Sequence, residues 1–271
     1  KIQVNKFYYI LLAFCIALNS CHIKLSSEDE SANDNIVEIE RYDRLQYRYL
    51  TTGDFSALQQ MNSEYPMETR TLIEDVVQLG NTTDPDINTK FLKFYQDTTL
   101  QALIASVESE YANVDDLNEQ LSVAFKHLTH KLPNLEIPRI YAQISALDQS
   151  IVVGNGTVGV SLDKYLGEKF PLYQKYYSPL QRQQMTREHI VSDCISFYLM
   201  SVYQLKESDK RPQLERDLHI GKINWVVNQA LGRRTFRTKY VVAVENYMQE
   251  HRKTSYDELL KITDFSKFKV L

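Results

Sequence analysis

The chain has 271 residues, 43% of them hydrophobic and 24% charged, which allows one sizeable core or at most two small ones. Eight Gly and seven Pro are too few for an all-β protein full of tight turns. The formal net charge is −4; the first 20 residues hold two Lys and no acid, so the remainder carries −6, which argues against a generic nucleic-acid partner.

Lys1 and Lys6 precede an apolar run from Phe7 to Leu18 that is too short to span a bilayer comfortably. Residues 1–20 therefore read as a signal peptide. Leu18-Asn19-Ser20-Cys21 looks like a lipobox, with a small residue before the cysteine and Leu three positions before it. The expected mature chain starts at Cys21, carries lipid there, and sits in a bacterial envelope; the outer membrane is the expected location, on either its periplasmic or its surface face. The membrane is then its first partner, since the two or three acyl chains on one cysteine suffice for stable anchoring. Cys15 leaves with the leader, so Cys194 is the one free thiol and no intramolecular disulfide can form. Residues 21–35 include Glu28-Asp29-Glu30 and few large apolar groups, and read as a flexible acidic tether.

A single mainly helical domain is expected over residues 36–271. Helical spacing dominates from Ile36 to about Lys131. Pro66 can open a helix at its first turn, and Gly80 to Pro85 forms a loop. Residues 87–111 repeat apolar side chains at helical intervals. Asp115 can cap a helix whose inner stripe is Leu117, Leu121, Ala124, Phe125 and Leu128. Short β-branched runs then appear between Ile137 and Ser161, and Gly154-Asn155-Gly156 joins two of them as a tight turn. The fold class is α+β, with a small, partly antiparallel sheet around residues 137–161. After Leu162 helix returns. The longest element is expected from about Ser178 to Leu205, with Ile190, Val191, Cys194, Ile195, Tyr198, Leu199 and Val202 inward. A helix over 211–231 stopped by Gly232, with Leu214, Leu218, Ile220 or Gly221, Trp225 and Leu231 on or near its inner face, and two terminal helices over 240–250 and 255–262 complete the chain.

No complete catalytic set emerges, and no catalytic residue or cofactor is predicted. His127 and His130 lie three apart, as the polar end of a helix does, without further ligands nearby. Glu188-His189 and Asp193 sit on the predicted long helix. A zincin helix requires His-Glu-x-x-His, and here the order is reversed and no base follows His189. His189 and Asp193, with a distant ligand such as His219, are the weak metal candidates. There is no Gly-x-Ser-x-Gly elbow, and Cys194 falls in an apolar stripe as a core residue does.

One ordered set of segments resembles a known family. It comprises Ile39-Glu40-Arg41-Tyr42-Asp43, Tyr65-Pro66, Ala124-Phe125-Lys126, Leu132-Pro133, Ile137-Pro138 and Val160-Ser161-Leu162-Asp163-Lys164-Tyr165-Leu166-Gly167, then Tyr173. This order resembles the GldB-type gliding-motility lipoproteins of Bacteroidota from Ile39 to about Tyr203, with a looser, shortened remainder. The resemblance implies a degenerate zincin-like fold without the zinc motif. It also implies a non-enzymatic role among envelope proteins of gliding motility or the linked type IX secretion machinery. On the residues alone, a metal-dependent peptidase using His189, Asp193 and His219, and an envelope protein that binds a small ligand, stay open as alternatives.

Overall fold

The computed structural model describes residues 36–154 and 156–270. The predicted leader, Cys21, the tether and Asn155 lie outside these residues. Within them the chain is mainly helical around a four-stranded mixed sheet, as its α+β pattern predicts.

Strand β1 (Ile39–Glu40) opens the domain and leads into α1 (Tyr42–Thr52), α2 (Phe55–Glu64) and α3 (Pro66–Arg70). Gly53 ends α1 with φ of 69°, and Asp54 begins α2 by accepting hydrogen bonds from the Ser56 and Ala57 amides. Pro66 occupies the first turn of α3, as predicted. Helix α3 runs directly into a π-helical turn, Thr71–Val76. Next come α4 (Ile87–Tyr95), α5 (Thr98–Glu110) and α6 (Asp115–Lys131). The periodic stretch over 87–111 is thus two helices. Asp97 divides it, because its carboxylate caps the Thr99 and Leu100 amides and starts a new axis. All five predicted inner residues of α6 are buried. Its N-cap is Val114 rather than Asp115, whose amide instead donates to Asn113 Oδ1.

The sheet holds β1, β2 (Arg139–Gln143), β3 (Ile151–Gly154) and β4 (Thr157–Ser161) in the order β1-β2-β4-β3. β1 and β4 flank β2 in parallel, and β3 folds back antiparallel on β4. The antiparallel hairpin agrees with the tight turn that Gly154-Asn155-Gly156 predicts. Strand β1 falls within the stretch whose spacing predicts helix, since two residues are too few to show a period of two. Register assigns the two faces. One carries Ile39, Ile140, Ala142, Ile151, Val158 and Val160, all buried, and helices α6 and α9 (Ile190–Val202) extend the core on that side. The other carries Glu40, Arg139, Tyr141, Gln143, Thr157, Gly159 and Ser161. A polar face is unusual for strands paired in parallel, which are ordinarily apolar on both sides.

The expected long helix from Ser178 to Leu205 is instead α8 (Pro179–Gln184), a turn at Arg187–His189, and α9. Helix α7 (Pro171–Tyr176) precedes them. Ser178 and Gln181 form a capping box, and no residue of α8 is buried. With no apolar stripe to carry the axis onward, the chain straightens at Thr186 (φ −126°, ψ 153°) and restarts at Ile190. Among the described residues the longest helix is α10 (Gln213–Leu231), stopped by Gly232 at φ 62° as predicted. Leu214 and Ile220, assigned inward or as an alternative to Gly221, are exposed, while Gly221, Lys222, Asn224 and Asn228 are buried. The apolar spacing misleads here because neighbours enclose most of the circumference. Helices α11 (Lys239–Glu250) and α12 (Tyr256–Lys261) close the fold. Among the described residues no helix is long and apolar enough to cross a membrane.

Candidate functional site

The three weak metal candidates are not brought together. His189 is the N-cap residue of α9, with Nδ1 at 2.9 Å from Thr186 Oγ1. His219, on α10, donates from Nε2 to the Tyr203 carbonyl at 2.7 Å. Tyr203 caps the opposite end of α9. Fourteen residues of helical rise put these two attachment points about 20 Å apart. Asp193 accepts a 2.9 Å hydrogen bond from Tyr165 Oη, and burial raises its carboxyl to about 6. Burial lowers His219 to about 4, so its ring is neutral at physiological pH. Among the described residues no group of three or more His, Cys, Asp or Glu is placed to hold an ion. Cys194 is buried, its thiol pushed up to about 12 by desolvation, the opposite of an activated nucleophile. His127 joins two helices, its Nδ1 lying 3.1 Å from the Ala230 carbonyl oxygen.

The Leu162-Asp163-Lys164-Tyr165-Leu166-Gly167 segment is a fastening. Asp163 is fully buried, and its carboxylate accepts from the Ser145 amide at 2.9 Å and the Leu147 amide at 2.6 Å. The loop it grips holds Ala146 and Leu147 at φ of 55° and 68°, left-handed conformations that side chains resist. Lys164 Nζ donates to the Leu147 carbonyl at 3.1 Å and to Tyr177 Oη at 3.0 Å. Tyr173 Oη donates to the Asp163 carbonyl and accepts from the Leu166 amide. Gln46, from α1, extends the end of β2 by pairing both ways with the Ile144 backbone, at 2.8 and 3.0 Å.

A large open surface lies on the polar sheet face. Helix α1 covers part of it, leaving a trough of about 1040 Å³ toward the β3–β4 hairpin. Tyr141, Thr157, Val152 and Gly154 line the sheet side; Glu64, Met67, Glu68 and Asp75 line the helical wall. Gly159 makes room for the floor: a Cβ there would meet the Tyr141 ring at 2.5 Å. Tyr141 packs edge-on to Tyr42 at 6.2 Å, and Tyr42 lies 5.3 Å from Tyr65. Desolvation pushes the Tyr141 hydroxyl up to about 12, so it stays a neutral donor. Arg139 ties the parts together, ion-paired with the buried Glu68, 3.5 Å from Glu40, and over the Tyr65 ring.

A family model described as gliding motility protein GldB matches residues 24–240, most of the chain. The chain belongs to the GldB family. No curated protein matches it. No solved structure matches it either. The GldB match takes in the whole sheet, the Asp163 fastening and the trough, and extends past Tyr203, where the residue-level resemblance became loose. It starts at Lys24, after Cys21, so the lipobox stands on its own residues. It ends at Tyr240, whose backbone lies so close to Gly221 that a Cβ there would sit 3.0 Å from its carbonyl carbon.

Sequence reasoning missed Gln46, Glu68, Arg139 and Lys222. A signal existed for Arg139: residues 139–143 alternate Arg, Ile, Tyr, Ala and Gln, which separates a polar from an apolar face. No local pattern marks Glu68, because its partner lies 71 positions away.

Proposed function

We propose that this gliding-motility-family protein is a lipid-anchored envelope component that acts by binding other proteins and not by catalysis. Residues 1–20 are its removable leader, acylated Cys21 its anchor and residues 21–35 its tether. One observation carries the non-catalytic part: three strongly buried ionisable side chains away from the trough, Asp163, Lys222 and His219, are turned to the protein's own fabric. Asp163 grips backbone amides, Lys222 Nζ donates to the Leu260 and Ile262 carbonyls at 3.1 and 2.6 Å, and His219 holds the Tyr203 carbonyl. Perturbed groups of an enzyme face a cleft where a reacting atom can sit. Gliding-motility or type IX secretion components are the expected partners.

The test is isolation of the full-length protein from its own envelope, with mass spectrometry of its N-terminus and of what co-purifies. The expected result is an acylated Cys21 terminus together with envelope proteins held through detergent washing. An intact leader or an unmodified terminus removes the anchor. Stoichiometric zinc that disappears on His189→Ala overturns the non-catalytic reading.

A further inference from the structure

Resting on the protein-contact reading and extending it, we propose that the trough takes an extended segment of a partner protein bearing a basic side chain, which adds as a fifth strand beside β3. Ser161 N donates to Ser150 O at 2.9 Å, fixing that pair as hydrogen-bonded. In an antiparallel ladder such pairs alternate. With Ile151 opposite Val160, the bonded pairs are then Val152 with Gly159 and Gly154 with Thr157. The amide and carbonyl of Val153 therefore point away from β4, and among the described residues nothing pairs with them. The outer edge reads Ile151-Val152-Val153-Gly154, with neither the charge nor the proline that edge strands commonly use to repel added chains.

Volume and charge define the occupant. At about 1040 Å³ the trough is at the upper end of small-molecule pockets, roughly 300–1,000 Å³, and Val152, Val153 and Gly154 of the edge strand are among its lining. A chain entering it can pair with Val153 while its side chains reach Met67, which is 65% exposed, and the carboxylates of Glu64 and Asp75 on the rim. Glu68 behind them shares Arg139 with Glu40, so the lining keeps a negative excess that favours a Lys or Arg. The same charge disfavours other occupants. Residues 25–35 carry Glu28, Asp29, Glu30 and Asp34 with no basic residue, and a second copy of β3, Ile151–Gly154, brings no basic side chain to the site.

A displayed library of random heptapeptides, selected on the full-length protein in detergent, tests this. The expected binders alternate apolar residues with at least one Lys or Arg. Val153→Pro, at an amide that faces outward, and the exposed pair Glu64→Lys/Asp75→Lys should each weaken them tenfold or more, with circular dichroism and thermal midpoint unchanged. The double charge reversal carries the test alone should Val153→Pro fail to fold. No selected binder, acidic binders, or binders indifferent to the charge reversal would overturn the proposal. Envelope capture with the same variants separates the two levels. Partners retained by the charge-reversed protein sink this surface and leave the protein-contact reading standing, whereas no partner on the unaltered protein sinks that reading as well.

Discussion

Asp163 and Asp193 are both raised by burial, and they differ in what holds them. Burial raises the Asp163 carboxyl, and the two backbone amides that hold it work against that rise through charge-assisted bonds. Asp193 has one hydroxyl, Tyr165 Oη, and burial raises its carboxyl to about 6. An acid whose pKa is raised on folding keeps its proton where the unfolded chain has lost it, so the native state loses stability as pH climbs from about 4 to 6. Above that window the full cost is present. Asp193→Asn keeps an acceptor for Tyr165 and removes the charge. Urea unfolding should therefore find the variant more stable than the unaltered protein at pH 7.5 and nearly equal at pH 4; equal stability at both would show that the carboxylate is not penalised. Lys222 behaves oppositely. Desolvation lowers it to about 8, so its burial cost is relieved as pH rises from 8 toward 10.5. Against Lys222→Met, the unaltered protein should gain relative stability across that interval, and parallel pH profiles would refute the assignment.

At the level of elements, the sheet rests on one glycine and one tyrosine. Gly159 lies opposite Tyr141 in the parallel β2–β4 pair, and the ring covers the space that a side chain would fill. Gly159→Ala must displace the ring from its contact with Tyr42, an overpacking cost of about 1–3 kcal/mol. In a Tyr141→Ala background the same change should cost little. Chemical denaturation of the four proteins in this cycle measures the coupling, and additive effects would mean that the ring moves freely. The polar face that this pair builds is legible as alternation in residues 139–143 and 157–161, although alternation alone predicts a strand and not what covers its polar side. The break between α8 and α9 was less legible. Ser178 and Pro179 signal a start, but the stop at Met185 to Thr186 depends on α8 having no buried face, which is a property of its neighbours.

Across the whole described domain, periodicity revealed what local spacing controls: the α6 stripe, the hairpin, Gly232 as a stop, and the mainly helical class. It could not reveal the trough, whose two walls come from residues 63–75 and 139–157, because pairing at such separation leaves no local trace. Nor could it show that α10 is enclosed nearly all round, and this enclosure makes the last segment matter. Trp225 stacks edge-on with Tyr256 at 5.2 Å, Lys222 caps carbonyls at the end of α12, and Leu259, Leu260, Phe265 and Phe268 are all buried. The family match ends before these residues, at 240, which invites the view that they are dispensable. Their burial says otherwise. At roughly 1.5–3 kcal/mol for each large apolar side chain, the four account for several kcal/mol, comparable with the 5–15 kcal/mol that holds a typical domain folded. Removing them also takes from the Lys222 ammonium its two carbonyls and the Phe265 ring that it lies over. Deletion of residues 255–271 should therefore leave a protein that aggregates or melts at least 10 °C lower by circular dichroism, and that binds a hydrophobic dye at room temperature. A truncated chain with an unchanged melting curve would mean that α10 is stabilised by α6, α9 and α11 alone, and that the terminal segment serves a purpose other than closing the core.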